Sequence, residues 1–372
     1  MFEKDRAWIE LNKDNFIHNI NVLESGLPQG CRMMPCVKAN AFGHGAVPIS
    51  RMLHEHGTRD YCVACLSEAV ELREAGIEGQ ILILGYTDPA DLSALYEYDL
   101  AQTVVDCAYG KVLNAFGRPL RVHVAIDTGM RRIGERSEHV DEIAGLWSLD
   151  NLNIDSIYTH LSSADETDGE GREFTLKQIE AYDRLVNELH ARGIKDFRTH
   201  VLASSGIANY SEHGYDYIRP GALIYGIEGK PSDDSPKRLG LRHVLELKAK
   251  VSTVRKLYPG DCVSYSRTFK ADHEMLCASV GFGYADGMPR ELSNRWNALV
   301  NGKVCPMIGT ICMDFLMLDV SEVPDVHPGT EVVLIGKSGN ETIRACDMAF
   351  AAGVNTNAVL SQLSHRLGRI VV

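Results

Sequence analysis

The feature that most constrains the fold is a regular alternation of strand-like and helix-like patterns between residues 32 and 226. Short apolar runs favour buried strands, whereas apolar residues that recur about every three or four positions favour amphipathic helices. The strand-like runs lie at 32–37, 61–66, 80–85, 101–106, 120–127, 154–160, 197–203 and 217–219. Repeated β/α units of this kind predict an α/β fold, a closed (β/α)8 TIM-like barrel, with an open doubly wound sheet as the alternative.

The helices of this region are predicted from caps and apolar spacing. One helix is predicted at 67–76, where Ser67 can cap it, and another at 88–98. The clearest helix follows the run 154–160 and ends before Gly193. Its apolar face is predicted to carry Leu176, Ile179, Val186 and Leu189.

Beyond the loop at 229–240 the pattern changes to strands separated by Pro-Gly and Asn-Gly turns. The strand-like runs lie at 245–257, 262–269, 275–282, 298–304, 315–320 and 331–335, and only 342–352 looks helical. We therefore predict a barrel at 13–238 and a mostly β C-terminal domain at 239–372. The N-terminal segment 1–12 contains an alternating strand at 7–11 and is expected to join the β domain.

The composition is that of an ordinary globular protein, with 45% hydrophobic and 24% charged residues in 372 positions. The net charge of −12 argues against nucleic acid or an anionic membrane as the main partner. The ten cysteines are scattered rather than densely spaced, and Cys62-x-x-Cys65 has no second pair nearby, so no metal site is expected. No apolar run reaches about 18 residues and no signal peptide is recognisable, which predicts a cytoplasmic chain without a membrane segment. The sequence leaves open the alternative that this chain is the cytoplasmic part of a larger membrane protein.

The segment Cys36–Gly45 is the most informative motif for function. Lys38 closes an apolar run and is followed at once by small residues and glycines. Burying an ammonium group without a partner is costly, so one interpretation is a lysine that reaches solvent past the strand end. The other is an amine held in a dry site, where it forms a Schiff base with an aldehyde cofactor.

Further polar residues follow the predicted barrel strands. They are Arg132, His160, Ser204 and Arg219. Active sites of (β/α)8 barrels lie at the C-terminal ends of the strands, so these side chains and Lys38 are expected on one rim.

The sequence Val37-Lys38-Ala39-Asn40-Ala41-Phe42-Gly43-His44-Gly45 resembles the pyridoxal-phosphate lysine motif of the alanine racemase family, whose members are fold-type III enzymes. Further motifs of that family occur in order through nearly the whole chain. The resemblance implies that pyridoxal 5′-phosphate is the cofactor and that Lys38 holds it. Ser204, with the backbone of Gly221 and Ala222, would bind the cofactor phosphate.

The resemblance also gives roles to three other barrel residues. Arg219 would donate to the pyridine nitrogen, and because a guanidinium does not readily give up a proton, the ring would be a weaker electron sink. His160 would hydrogen-bond Arg219 and hold it in place. Arg132 would bind the substrate carboxylate, for which a guanidinium offers a bidentate fork.

The β domain supplies the second base in this family. Val263-Ser264-Tyr265 resembles the segment whose tyrosine faces the lysine, which implies a two-base Lys38/Tyr265 mechanism. Tyr284 resembles a residue of the site entrance, and the Met313 backbone amide a second donor to the substrate carboxylate. In the family these groups reach the barrel of another subunit, so the resemblance implies a homodimer with shared active sites.

Four positions depart from the family pattern. Phe42 stands where a tyrosine is usual, Ala125 where a lysine often positions the carboxylate-binding arginine, and Thr310 where an arginine lies at the entrance. Asn357 stands where a tyrosine lies beside the substrate, and its amide offers a donor and an acceptor to a hydroxyl. These departures resemble the serine/alanine racemases of vancomycin resistance, whose catalytic part follows a membrane domain.

The sequence therefore predicts a racemase that interconverts L- and D-serine and L- and D-alanine and supplies D-amino acids for cell-wall precursors, with a link to vancomycin resistance. An ordinary biosynthetic alanine racemase is the alternative. A non-catalytic carrier of pyridoxal phosphate is disfavoured because such proteins lack a β domain. A decarboxylase of the same barrel type is disfavoured because those enzymes place an acidic group, not Arg219, at the pyridine nitrogen.

Overall fold

The computed structural model describes residues 4–372. These residues form two compact units. The first, here called the barrel unit, contains Ile20–Ala41 and Ile49–Ile224, and the second, the β unit, contains the N-terminal residues up to Asn19, Phe42–Pro48 and Tyr225–Val372. The boundary by compactness falls between Ile224 and Tyr225, earlier in the chain than the predicted change at 238–239.

The strands are numbered in chain order. They are β1 Ala7–Leu11, β2 Arg32–Met33, β3 Asp60–Val63, β4 Gln80–Ile83, β5 Ala101–Val104, β6 Leu120–Asp127, β7 Glu135–Arg136, β8 Leu152–Tyr158, β9 Arg198–Ala203, β10 Tyr217–Arg219, β11 Leu245–Leu257, β12 Cys262–Val263, β13 Phe269–Lys270, β14 Met275–Val280, β15 Asn297–Val300, β16 Lys303–Pro306, β17 Leu316–Asp319, β18 Glu331–Ser338, β19 Glu341–Ile343 and β20 Gly368–Val371.

The helices are described by their ranges. The α-helices are Lys13–Ser25, Ala46–His56, Leu66–Glu74, Leu92–Glu97, Cys107–Ala115, Val140–Gly145, Gly169–Ala191, Ser204–Asn209, Ser235–Arg238, Ala345–Ala352 and Thr356–Ser361. The 3-10 helices are Pro89–Asp91, Leu146–Ser148, Ala222–Tyr225, Tyr265–Arg267, Tyr284–Asp286 and Arg290–Leu292. Among residues 4–372, none of these helices has the length and apolarity that crossing a bilayer requires.

The barrel unit contains a parallel sheet in the order β2-β10-β9-β8-β6-β5-β4-β3, with β7 paired to β6. A parallel bridge between Cys36 and Cys62 joins the chain after β2 to β3, so the two ends of the sheet meet and the barrel is nearly closed. This confirms the (β/α)8 prediction, and the open doubly wound sheet is wrong. Strands β3, β4 and β5 are buried along their whole length, as expected of parallel strands covered by helices.

The helix Gly169–Ala191 packs through a face slightly rotated from the predicted one. Ile179 and Leu189 are fully buried, whereas Leu176 and Val186 are only partly covered. Tyr182 and Leu185 complete the buried face. The shift arises because the buried face also includes polar residues, such as Thr175 and Gln178, which apolar counting does not register.

The β unit is built on a mostly antiparallel sheet in the order β16-β15-β18-β11-β1-β20. Strand β14 pairs with β11 and with β17, and β19 pairs with β18. Strand β1 lies between β11, which runs antiparallel to it, and β20, which runs parallel. The N-terminal strand therefore belongs to the β unit, the place expected for it.

Two predicted strands are interrupted by residues with positive φ. The run 262–269 is divided into β12, a 3-10 turn and β13, because Ser264, Ser266 and Arg267 have φ of 64°, 59° and 53°, which a strand cannot adopt. The run 298–304 is a hairpin, β15 and β16, that reverses at Asn301-Gly302, where both residues have positive φ.

The C-terminal predictions also need correction. The predicted helix 342–352 begins as strand β19, and the helix starts only at Ala345. A second helix, Thr356–Ser361, and strand β20 were not predicted; the Asn355 side chain caps that helix by accepting from the Ala358 N–H at 2.8 Å. At the other end of the chain, the helix predicted to start at Ser67 starts at Leu66, after Cys65.

Candidate active site

A cavity of about 250 Å³ lies at the C-terminal ends of the barrel strands. Four of the predicted site residues line it, Lys38, Arg132, His160 and Arg219, together with Ala125, where the family often has a lysine. Residues from separate strand ends are thus brought together on one rim, as expected.

A larger pocket of about 420 Å³ lies within the β unit. Three of its charged lining residues are paired with one another: Glu228 contacts His243 at 3.0 Å and Arg344 at 3.6 Å. None of the predicted catalytic residues lines it, so the barrel cavity is the candidate active site.

The backbone after Lys38 is strained. Ala39, Asn40 and Ala41 have φ of 51° to 53° and ψ of 47° to 50°, and Phe42 has φ of 53°. Left-handed backbone costs about 1–2 kcal/mol for each residue with a β-carbon. Such strain persists where the surroundings hold it in place, and it is concentrated at functional sites. The turn directs the chain away from the strand just after the lysine, which leaves Lys38 half-buried at the cavity.

Arg219 is held by neutral acceptors within the barrel. Its side chain is 3% exposed. Nη1 donates to Nδ1 of His200 at 2.6 Å and to the His200 carbonyl at 3.1 Å, and Nη2 donates to the carbonyls of Thr159 at 2.7 Å and Val201 at 3.1 Å. The predicted partner was His160, but the imidazole that accepts from Arg219 belongs to His200.

A chain of buried histidines continues behind Arg219. His200 Nε2 lies 3.0 Å from His123 Nδ1, and His123 Nε2 lies 3.4 Å from a carboxylate oxygen of Asp155. Because Arg219 is a pure donor, His200 must accept at Nδ1 and donate from Nε2 to His123 Nδ1, and the other nitrogen of His123 contacts the Gln80 side-chain amide as well as Asp155. Burial, with Arg219 and His123 nearby, holds the pKa of His200 well below its usual range, and burial lowers the pKa of His123 too. Both imidazoles are therefore neutral at neutral pH.

Sequence reasoning missed His123 and His200. Both lie in apolar strand runs, Leu120–Asp127 and Arg198–Ala203, and both are completely buried. A histidine in the middle of a buried barrel strand requires a partner inside the barrel, and that was the available signal.

His160 lies in the cavity as a neutral imidazole. Burial, followed by the positive charges of Arg219, Arg132 and Lys38, lowers its pKa to about 3. Its ring therefore adds no positive charge to the cavity at neutral pH.

Backbone donors surround the Ser204 hydroxyl. Its oxygen accepts from the Gly221 N–H at 2.9 Å and from the Leu223 N–H at 3.4 Å. Ala222 begins the 3-10 helix Ala222–Tyr225, so successive N–H groups point toward one place. Grouped N–H donors of this kind form anion-binding sites.

The remaining predicted site residues lie in the β unit. Tyr265 is 67% exposed, Met313 52% and Tyr284 42%, so each presents its side chain at the surface of that unit. Tyr265 and Met313 line one open depression. The Tyr284 N–H donates to the Cys312 carbonyl at 3.0 Å, which ties the two loops together. The exposed Asn357 lies in the short helix Thr356–Ser361.

Thr310 holds the loop that contains Ser264 and Tyr265 through two hydrogen bonds. Its hydroxyl donates to the Tyr265 carbonyl at 3.1 Å, and its own carbonyl accepts from the Ser264 hydroxyl at 2.5 Å. The residue that replaces the family arginine is thus buried in the loop rather than directed to solvent.

Comparison with known proteins places the chain in a family. The alanine racemase N-terminal domain model matches residues 11–229, and the alanine racemase C-terminal domain model matches residues 244–371. The chain belongs to the alanine racemase family. Enzymes of this family are racemases that depend on pyridoxal 5′-phosphate.

Relatives match over nearly the whole chain. The alanine racemase of Carboxydothermus hydrogenoformans is 40% identical over 98% of this chain and 99% of its own length. An amino-acid racemase of Enterococcus faecalis is 36% identical over 99% of this chain but only 52% of its own length. Among solved structures, alanine racemase of Clostridium difficile 630 has a TM-score of 0.90 and 31% identity, covering 98% of this chain and 95% of its own. Alanine racemase of Bacillus anthracis with bound L-Ala-P has a TM-score of 0.90 and 30% identity, covering 99% and 95%.

The barrel residues fit pyridoxal phosphate. All four Nη hydrogens of Arg219 are used within the barrel, and its Nε–H makes no hydrogen bond among residues 4–372, so this buried donor remains for the cavity. Lys38 supplies an amine on the same wall. The Ser204 hydroxyl, whose oxygen accepts from the Gly221 and Leu223 N–H groups, has its own hydrogen to donate to a phosphate.

We expect the stability of the cofactor-free protein to depend on pH through His160. An imidazole has a pKa of about 6.5 in an unfolded chain, and that of His160 is about 3 in the folded chain. As the pH falls from 6.5 toward 3, the unfolded state binds a proton that the folded state does not. The free energy of unfolding should therefore decrease by about 1.4 kcal/mol per pH unit.

His160→Gln should remove about 2 kcal/mol of the difference in unfolding free energy between pH 7 and pH 5, measured by denaturant titration. His365→Gln, at an exposed side chain, is the control for the substitution itself. An unchanged slope in His160→Gln would contradict the prediction.

Proposed function

We propose that the protein is an alanine racemase that interconverts L- and D-alanine, with Lys38 and Tyr265 as its two bases. The observation that carries this proposal is the convergence of Lys38 and buried Arg219 on one cavity, in a chain that matches an alanine racemase over 98% of its length. A non-catalytic carrier would have no use for the β unit or for Tyr265.

The barrel groups have distinct proposed tasks. The bound cofactor supplies an electron sink for the carbanion that forms at the substrate Cα. Lys38 moves the proton on one face of that carbon, and Tyr265 moves it on the other. Arg219 would donate a hydrogen bond to the bound cofactor without surrendering its proton, which would limit the negative charge that the electron sink accepts. Neutral His200 and His123 fix the guanidinium without adding charge.

Arg132 is proposed to bind the substrate carboxylate. It follows a loop that is held by Asp127, whose carboxylate accepts from the Gly129 N–H at 2.9 Å, the Arg131 N–H at 3.1 Å and the Arg131 guanidinium at 3.0 Å. We propose that this loop, rather than a lysine at Ala125, positions Arg132.

The proposed function is tested by locating the cofactor and measuring racemisation. Purified protein incubated with pyridoxal phosphate and treated with borohydride should carry the label on the peptide that contains Lys38. The untreated protein should racemise either enantiomer of alanine, and Lys38→Ala should lose activity by at least about 10²-fold. Lys111→Ala, on a helix outside the cavity, is the control. Label on another peptide would refute the assignment of Lys38.

We further propose a head-to-tail homodimer in which Tyr265 of one copy completes the barrel cavity of the other. The exposure of Tyr265 and Met313 on the β unit supports this, because catalytic groups rarely remain this open to water. Phe315, which lines the same depression, is exposed too, and neighbouring exposed apolar side chains are typical of a surface that another chain covers.

The dimer proposal predicts complementation between two inactive variants. Tyr265→Phe alone should lower kcat by about 10² to 10⁴-fold, the usual effect of a lost acid–base group. Mixing Tyr265→Phe with Lys38→Ala under subunit exchange should restore part of the activity, since one site in each heterodimer then has both bases. Proven exchange without recovery would mean that each site is built within a single chain.

Serine is the second candidate substrate, and the observation that favours it is Asn357. Relatives named amino-acid racemase support a broader substrate range, although this chain matches only about half of their length. A role in vancomycin resistance stays a prediction of the sequence. The D-alanine produced would serve as a cell-wall precursor.

Asn357→Tyr should shift the ratio of kcat/KM for serine to that for alanine toward alanine. One neutral hydrogen bond to the serine hydroxyl is worth about 0.5–1.5 kcal/mol, or about 2- to 13-fold in this ratio. Asn355→Ala, which alters the cap of the same helix but not residue 357, is the control. A ratio that stays constant or moves toward serine would remove Asn357 as the determinant.

A further inference from the structure

The Glu68 carboxylate joins two strand ends beside Lys38. Its Oε1 accepts from the Ala39 N–H at 2.6 Å, and its Oε2 accepts from the Ala64 N–H at 2.7 Å. Ala39 directly follows Lys38, and Ala64 directly follows strand β3 and lines the cavity. A single side chain thus holds the backbone on both sides of the point where the barrel closes.

The carboxylate lies where the backbone ladder of the barrel ends. The Cys62 N–H donates to the Pro35 carbonyl and the Val37 N–H to the Cys62 carbonyl, both at 2.9 Å. After Val37 the chain enters the left-handed turn, so the next backbone donors cannot continue the ladder. Glu68 takes over as acceptor for one donor on each strand.

Helix capping explains only half of this arrangement. Glu68 is the third residue of the helix Leu66–Glu74, and its bond to Ala64 resembles a capping box but reaches the residue before the N-cap, Cys65. The bond to Ala39 crosses to a distant part of the chain and adds nothing to the helix. It fixes the first residue of a strained turn, and that residue adjoins the lysine.

We infer that Glu68 is a positioning residue for Lys38: it fixes the left-handed turn and so holds the amine in its reactive direction. This inference rests on the proposed function of Lys38. An error of about 1 Å in the position of a reacting group is enough to reduce a rate about 10²-fold. Loss of the clamp should therefore act on the chemical step more than on substrate binding.

The test compares Glu68→Gln with Glu71→Gln. The amide at position 68 keeps one acceptor and places an N–H₂ group against a backbone N–H, so one of the two bonds is lost. Glu71 lies on the same helix with its side chain exposed, and its replacement removes the same charge. Activity is expressed per cofactor-loaded site. Glu68→Gln should lower kcat for alanine about 10- to 100-fold, with KM within about twofold of that of Glu71→Gln.

A second measurement, the rate at which the cofactor is released, reports how firmly Lys38 is held. Hydroxylamine should release the cofactor from Glu68→Gln faster than from Glu71→Gln, because the lysine is less well held. A fall in melting temperature with kcat and release rate equal to those of the control would make Glu68 a helix cap only and overturn the inference. If wild-type protein does not racemise alanine, the proposed function fails, while the release rates still decide whether Glu68 holds Lys38.

Hydrogen exchange on the unmodified holoenzyme covers the case in which Glu68→Gln does not fold. Ala39 is exposed, yet its amide should exchange at least about tenfold more slowly than in an unstructured peptide because it is bonded to Glu68. Exchange at the unstructured rate would mean that the clamp does not form, and would also overturn the inference.

Discussion

The site depends on one buried interaction, the set of four hydrogen bonds that holds the Arg219 guanidinium. A buried cation is costly unless its donors are satisfied. Here neutral acceptors satisfy four of them: two carbonyls of β9, the Thr159 carbonyl just after β8, and one imidazole. Because the acceptors belong to the barrel backbone and to His200, the guanidinium cannot rotate without breaking the packing of the strand ends. Its one remaining donor is then directed by the fold rather than by the ligand, which is preorganisation of the kind that catalysis requires.

The histidines behind Arg219 are neutral, so they hold the guanidinium without cancelling its positive charge. A carboxylate in direct contact would have cancelled the positive charge near the cavity, whereas Asp155 is separated from it by two imidazoles. Burial, followed by the positive charges of Arg219, Arg132 and Lys38, lowers the pKa of His160 and keeps it unprotonated at neutral pH. The cavity therefore combines the fixed charges of Arg219 and Arg132 with an amine, an arrangement suited to an anionic cofactor and a carboxylate substrate.

Sequence patterns predicted the architecture where each element carries its own signal. Strands β6, β10 and β11 have the predicted bounds, because each is an uninterrupted run of residues suited to a strand. The strand predicted at 262–269 is wrong because apolar content does not indicate the backbone angle φ, which is positive at Ser264 and Ser266. Lys38, Arg132, His160 and Arg219 could be assigned to one rim because barrel topology brings strand ends together. The contact between Arg219 and His200 could not be predicted, because choosing between two nearby histidines requires coordinates. The role of Glu68 could not be predicted either, because this residue belongs to no recognisable motif.

The pairing of strand β1 determines the order in which the two units can be completed during synthesis. This strand is synthesised before every barrel strand, yet its neighbours are β11 and β20, which follow only after the whole barrel segment. The segment that becomes Ile49–Ile224 can pair its successive strands as it emerges, because each joins a sequence neighbour. The residues Ala7–Leu11 must wait for Gly368–Val371, so the β unit is completed only after translation of that last strand. A nascent chain would then carry a finished barrel and an exposed apolar N-terminal strand at the same time, and that interval is when it most needs protection from aggregation.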